Sequence, residues 1–381
     1  MESFVHLRKG ATPRRLHADL NGLKDDELGR DGFTGRTANF FRRHDPTAYR
    51  AVGPLRPLDV LADQLTTGDT PLLLFSNADC RISLSRRSEA TPYYLRHIDG
   101  DLLCFVHQGA GRLETEFGPL DYRTGDWIYL PKACTWRQLP SGGQERSDSG
   151  INTGGQERSD SGINTGSSTW LMIEADQFRT PPAGPLGRHW PFDPGQAAIP
   201  EPQALDDDGR DEYEVRLIHQ GGPTSLFYRH NPLDVEGWRG DNFAFTFNID
   251  DYNVITSNSV HLPPMVHLFM EATGVYVCNF LPKPAEGVPG TERTPWYHRN
   301  VDFDEIAFFH GGSLYGIPMP PGLISHAPQG VHHGAPEKVR ERARRKFDDF
   351  TTVDWKVIAV DTSRRLVPSP EVLAADLGQH Q

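Results

Sequence analysis

A chain of 381 residues with 37% hydrophobic and 24% charged side chains has material for one large or two ordinary globular domains, which excludes wholesale disorder. A formal net charge of −12 excludes a surface built for polyanions, since phosphate contacts need clustered Lys and Arg; neither nucleic acid nor an anionic membrane is an expected partner. The opening residues lack the apolar core of a signal peptide, no apolar run nears the ~18 residues that span a bilayer, and Cys80, Cys104, Cys134 and Cys278 show no CxxC spacing, so reduced thiols in a cytoplasmic protein are expected.

In chain order, the 37 Gly and 31 Pro punctuate short apolar runs, the pattern of many short strands joined by turns. Strands are expected at Pro71–Phe75, Asp101–His107, Arg112–Phe117, Trp127–Leu130 and Thr169–Glu174. Between two of them, GGQERSDSGINT at 142–153 recurs identically at 154–165. A perfect tandem copy of a polar segment cannot form two packed strands, so it reads as a disordered surface insert with no role in catalysis. A Pro/Gly-rich bridge runs from Arg179 to Pro202. Strands resume at Glu214–His219, Ser225–Tyr228, Phe243–Asn248, Val266–Glu271, Val275–Leu281 and Ile306–Phe309. Only Pro336–Phe350 has the Glu, Lys and Arg content of a sustained helix, with Pro336 at its first turn.

The densest chemistry lies in TPWYHRNVDFDEIAFFHGG, where His298 and Glu305 stand seven positions apart, followed by His326, His332 and His333. Two imidazoles and one carboxylate can occupy one face of a metal and leave positions open for substrate and O2, the facial arrangement of non-haem Fe(II) oxygenases. The third ligand is open among His333, His326 and His332, with His333 preferred. Asp304 competes with Glu305 for the carboxylate position. Successive strand residues point to opposite faces, so only one of the pair can serve.

The run H-x-N-x4-E-x6-G resembles the first motif of the cupin β-barrel. The resemblance implies a mainly β, two-barrel (bicupin-like) jelly-roll architecture with few helices. On that reading residues 1–200 form an N-terminal metal-free barrel with an N-terminal extension and the insert at 142–165. Residues 201–381 form a C-terminal catalytic barrel with a helix and tail. In the first half, GDWIYLPKACTW puts Trp136 where the second cupin motif carries its ligating His, and Trp cannot ligate a metal.

From His97 to Asp349 the chain resembles the homogentisate 1,2-dioxygenase family, through DGDLLCFVHQG, YRHNPLDVEGWRGD, NSVHLPP, WYHRN and HHGAPE in the family's order. The resemblance implies Fe(II) and a homo-oligomer (trimer or hexamer), and O2-dependent cleavage of homogentisate to maleylacetoacetate in tyrosine and phenylalanine breakdown. It also implies metal ligands His298, Glu305 and His333, a catalytic base at His261, and substrate contacts from His326, Tyr315 and His333. The family's usual gap from His to carboxylate is one residue shorter, which would select Asp304. The spacing Glu305-x6-Gly312 favours Glu305. A neutral imidazole such as His261 suits removal of a proton from a ring hydroxyl. Arg299 and Asn300 are expected to orient neighbours, while Trp238, Trp296 and Tyr297 fit core or pocket wall, and His267 and His310 structural positions. Competing readings are a dioxygenase of gentisate or another substituted hydroquinone, and a metal- or small-molecule-binding cupin without turnover.

Overall fold

The computed structural model describes residues 7–15, 17–31, 35–141, 166–181, 193–254, 256 and 267–378. The insert at 142–165 and His261 lie outside the described residues. The protein is mainly β, with α-helices only at Glu337–Arg345 and Pro370–Ala375 among the described residues. Among the described residues no helix is long and apolar enough to cross a membrane. Each strand expected above is found, its ends moved by at most two residues. The helix is shorter than its composition implies, because Lys346 leaves helical geometry at φ −110, ψ 38.

Two compact units interleave along the chain. One comprises Met1–Leu65, Thr180–Pro191 and Asn253–Gln381; the other comprises Thr66–Arg179 and Phe192–Tyr252. The boundary expected at residue 200 therefore falls inside the second unit, and the N-terminal extension joins the C-terminal one.

The second unit is a jelly-roll-like pair of sheets. One sheet contains Asp126–Leu130, Asp101–Gln108, Ser168–Ala175 and Cys80–Arg87 as neighbours. The other contains Tyr94–His97, Trp136–Pro140, Gly111–Thr115 and Gly118–Tyr122. Ser168–Ala175 is buried at every position, as a central strand covered on both faces must be. Leu102, Cys104, Val106, Leu113, Ile128, Trp136, Trp170 and Met172 fill the interior as one apolar cluster. Trp136 is 3% exposed there, its ring 6.3 Å from that of Trp170, as part of the apolar core.

The first unit is built on an antiparallel sheet in the order His267–Ala272, Val275–Phe280, Lys356–Thr362, Asp304–Gly311, Leu323–Ala327, Leu58–Leu61. Along Asp304–Gly311 burial alternates: Asp304, Ile306 and Phe308 are buried, whereas Glu305, Ala307 and Phe309 face a less covered side. A second sheet carries Tyr297–Asn300 at its edge, beside Lys24–Gly29 and then Thr37–Arg42. All four cysteines are free and buried.

Candidate metal centre

Two strands and the loop before the helix bring His298, Glu305 and His333 together. Their ligand atoms all lie within 4.8 Å of one another, and among the described residues this is the group of His, Cys, Asp and Glu close enough to hold an ion. His298 sits on the edge strand Tyr297–Asn300, and His333 approaches it through an isolated antiparallel bridge. The backbone N–H of each donates to the carbonyl of the other at 3.0 Å, so the two ligand-bearing residues are pinned face to face. Their rings stand 4.0 Å apart between centroids. Glu305 comes from the central strand, on the less covered face.

The hydrogen bonds fix which nitrogen faces the centre. His298 Nδ1 donates to the Trp296 carbonyl at 3.1 Å, and His333 Nδ1 donates to the Val331 carbonyl at 3.2 Å. With Nδ1 carrying the proton in each ring, the Nε2 lone pair is free to ligate, the arrangement that second-shell acceptors enforce in metal sites. His333 Nε2 is buried, makes no hydrogen bond of ordinary geometry, and lies 3.5 Å from Glu305 Oε2. Asn300 Nδ2 donates to the same carboxylate oxygen at 3.4 Å. Two convergent Nε2 atoms and a carboxylate, one of them without a hydrogen bond, fit a divalent transition metal.

Electrostatics agree with that donor set. Burial pushes the His298 imidazole down to about 4, reinforced by His333, so it is neutral at physiological pH. Burial acts the same way on His333, but the Glu305 carboxylate 3.5 Å away outweighs it and leaves its pKa raised. Glu305 is held well below the usual carboxylate range: burial opposes ionisation, and the adjacent imidazoles, His333 and then His298, overcome it. Directly across from Glu305, on Lys356–Thr362, Asp361 shows the reverse. Burial and the Glu305 charge push it well above the usual range, and its Oδ1 is buried without a hydrogen bond. In-register neighbours share a face, so Ala307, Phe309, Val357, Ala359, Cys278 and Phe280 extend a mostly apolar wall beside the two carboxyls.

The other residues singled out in the sequence lie elsewhere. Asp304 faces away from the cluster, where it accepts from His326 Nε2 at 3.0 Å, Gln329 N at 2.9 Å and Leu366 N at 2.8 Å. His326 therefore shares the face of Asp304 and Ile306, away from Glu305. His332 turns away from His333 and bonds Asp26 at 3.1 Å. Tyr315, at φ +49, packs with Val339 and Ala343 beneath the helix, and its hydroxyl donates to the Arg293 carbonyl. Sequence reasoning passed over Asp361, because an Asp in the run VIAVDT carries no spacing to the ligands; only strand pairing places it.

Fold and site together define a two-barrel β protein with a His–His–carboxylate cluster in one unit. No family profile matches the chain. It is 23% identical to a Saccharolobus solfataricus protein described as a "putative dioxygenase", over 95% of this chain and 94% of that one. Among solved structures it is similar to a cupin 2 conserved barrel domain protein from Leptotrichia buccalis, with TM-score 0.37 and 8% identity, covering 83% of this chain and 100% of that one. A second is Ylba from E. coli, with TM-score 0.37 and 9% identity over 83% of this chain and 94% of that one.

Proposed function

We propose that the chain is an Fe(II)- and O2-dependent ring-cleaving dioxygenase that opens homogentisate to maleylacetoacetate. The observation that carries the reading is the convergence of His298 Nε2, His333 Nε2 and the Glu305 carboxylate, with one nitrogen left without a hydrogen bond. The motif order in the sequence and the likeness to a protein described as a dioxygenase over nearly the whole chain support the reaction class.

His298, His333 and Glu305 would hold the metal, which when bound supplies adjacent open positions for an oxygen-bearing ring and O2. The chain's own contribution is orientation and proton placement. The Trp296 and Val331 carbonyls hold protons at Nδ1 of the two imidazoles, so that neither ring spends Nε2 on a hydrogen bond. Asn300 steadies the carboxylate. Ala307, Ala359 and Phe309 share the face of Glu305 and would supply the apolar side of a site for an aromatic ring. His261 is proposed as the base that takes the ring hydroxyl proton, on the strength of the NSVHLPP motif alone. Of the three residues expected to contact substrate, His333 belongs to the cluster and is kept as the proposed contact; His326 lies on the opposite face, bonded to Asp304, and Tyr315 packs beneath the helix with its hydroxyl on the Arg293 carbonyl. Both oxygen atoms of O2 enter the product, so no separate reductant is required.

The test is O2 uptake by anaerobically Fe(II)-loaded protein, with homogentisate and gentisate compared side by side. Uptake with homogentisate is the expected result. Uptake with gentisate alone would reassign the substrate to the hydroquinone that carries its carboxylate directly on the ring. Bound iron without uptake from either would overturn the reading.

A further inference from the structure

The ligand strand Tyr297–Asn300 is weakly built into its own barrel. On one edge, among the described residues, its β-pairing is the single bridge between His298 and His333, joined by the Gly330 N–H bond to the Asn300 carbonyl at 2.9 Å. On the other edge its strand partner is Lys24–Gly29, paired in parallel with Glu27 beside His298 and Asp26 beside Tyr297. A segment more than two hundred and fifty residues away in sequence thus holds the strand that presents the first histidine.

Asp26 is the contact on which this arrangement turns. It is 0% exposed, and its Oδ2 accepts from Arg42 Nε at 2.6 Å and from His332 Nε2 at 3.1 Å, with Arg299 Nη2 at 3.7 Å. Arg299 follows His298 in the chain, and His332 precedes His333. One buried carboxylate therefore grips the neighbour of each imidazole ligand. The guanidinium groups of Arg42 and Arg299 also lie over the Phe40 ring, 5.3 and 5.6 Å from its centroid, and both are within reach of Asp26. The Tyr49 hydroxyl adds a bond to the His332 carbonyl at 2.8 Å. Because alternate residues point to opposite sides, a clamp on Arg299 and His332 directs His298 and His333 the other way, toward Glu305.

We infer that Asp26 is a positioning residue of the metal centre, holding the two histidine-bearing segments in register through Arg299 and His332. The N-terminal strand is on this view a working part of the site. The inference rests on the metal-centre reading of His298, Glu305 and His333.

The experiment titrates Co(II), as a spectroscopic probe, into full-length wild type and Asp26→Asn, reading affinity and the ligand-field spectrum well below each protein's melting temperature. The expected result is a Co(II) affinity lower by about tenfold or more, as for other outer-shell partners, with a changed spectrum and an unchanged far-UV circular dichroism. Equal affinity and spectrum in both proteins would overturn the inference. Should Asp26→Asn fail to fold, His332→Leu and His332→Gln decide the matter. Gln keeps an N–H donor for Asp26, so Leu should weaken Co(II) binding and Gln should restore it. Equal binding by wild type and both variants, or a loss that Gln does not rescue, would overturn the positioning role. Absence of stoichiometric Co(II) in wild type would instead sink the metal-centre reading itself.

Discussion

The Asp304 carboxylate is 1% exposed and accepts hydrogen bonds from His326 Nε2, Gln329 N and Leu366 N. Its replacement by Ala strips three buried donors of their acceptor, and should cost about 3 kcal/mol in urea unfolding while one metal per chain is still bound. Glu305→Gln should do the opposite, leaving unfolding nearly unchanged and abolishing tight metal binding; metal analysis after gel filtration separates the two outcomes. The pH dependence of binding follows from the histidines. Metal needs neutral imidazoles, and Glu305 keeps a proton on His333 to above the ordinary pKa of 6.5. Affinity should therefore fall about tenfold per unit as pH drops through that raised value, with a second proton competing only near pH 4 at His298. Calorimetric titration of metal in buffers from pH 5 to 8 would contradict this if affinity were flat. At this scale the spacing of His298, Glu305 and His333 was legible, and strand alternation separated Glu305 from Asp304. The same alternation carries His326 to the far face, which the sequence could not reveal, because which way a His before a turn points depends on the register of Leu323–Ala327 with Asp304–Gly311.

Strands that alternate or run apolar were readable, and Asp101–Gln108 and Ser168–Ala175 are where their composition puts them. The strand KDDELG was not, because acidic residues are poor strand formers by any local measure. It forms a strand because its charges find partners from elsewhere in the chain: Asp25 meets His17 and Arg340, and Asp26 meets Arg42 and His332. Such a strand is legible only once its partners are placed. The duplicated polar segment at 142–165 is a different matter. Its flanks converge on one carbonyl, since Ser141 N and Ser168 Oγ both donate to Ala110 O, at 3.0 and 3.4 Å. A short Gly-Ser link in place of 142–165 should thus close the gap without strain and keep the melting temperature within about 2 °C, because loop-closure entropy varies only slowly with length. A large drop on calorimetric melting would mean that the insert does more than connect.

At the scale of the molecule, composition and turn density foretold a mainly β chain in two units, but not how the chain is shared between them. The cut near residue 200 assumed that each unit is contiguous; the first unit instead draws strands from both ends of the chain. A fragment spanning 66–252 should accordingly fold alone with β-type circular dichroism and bind no Co(II). A fragment spanning 201–381, which lacks Lys24–Gly29, Thr37–Arg42 and Leu58–Leu61, should be poorly folded. A cooperative melt and metal binding in 201–381 would refute this division. The shared unit also sets a timetable for synthesis. The ribosome releases Lys24–Gly29 roughly 270 residues before its neighbour Tyr297–Asn300 appears, on the order of half a minute at ordinary elongation rates. For that interval the edge of this acidic strand opposite Thr37–Arg42 waits without its partner, and its charge, unsuited to pairing with a stray apolar edge, guards it against aggregation. The nascent chain thereby acquires its histidine pair, and with it any redox-active ion, only when almost all of the surrounding protein has been made.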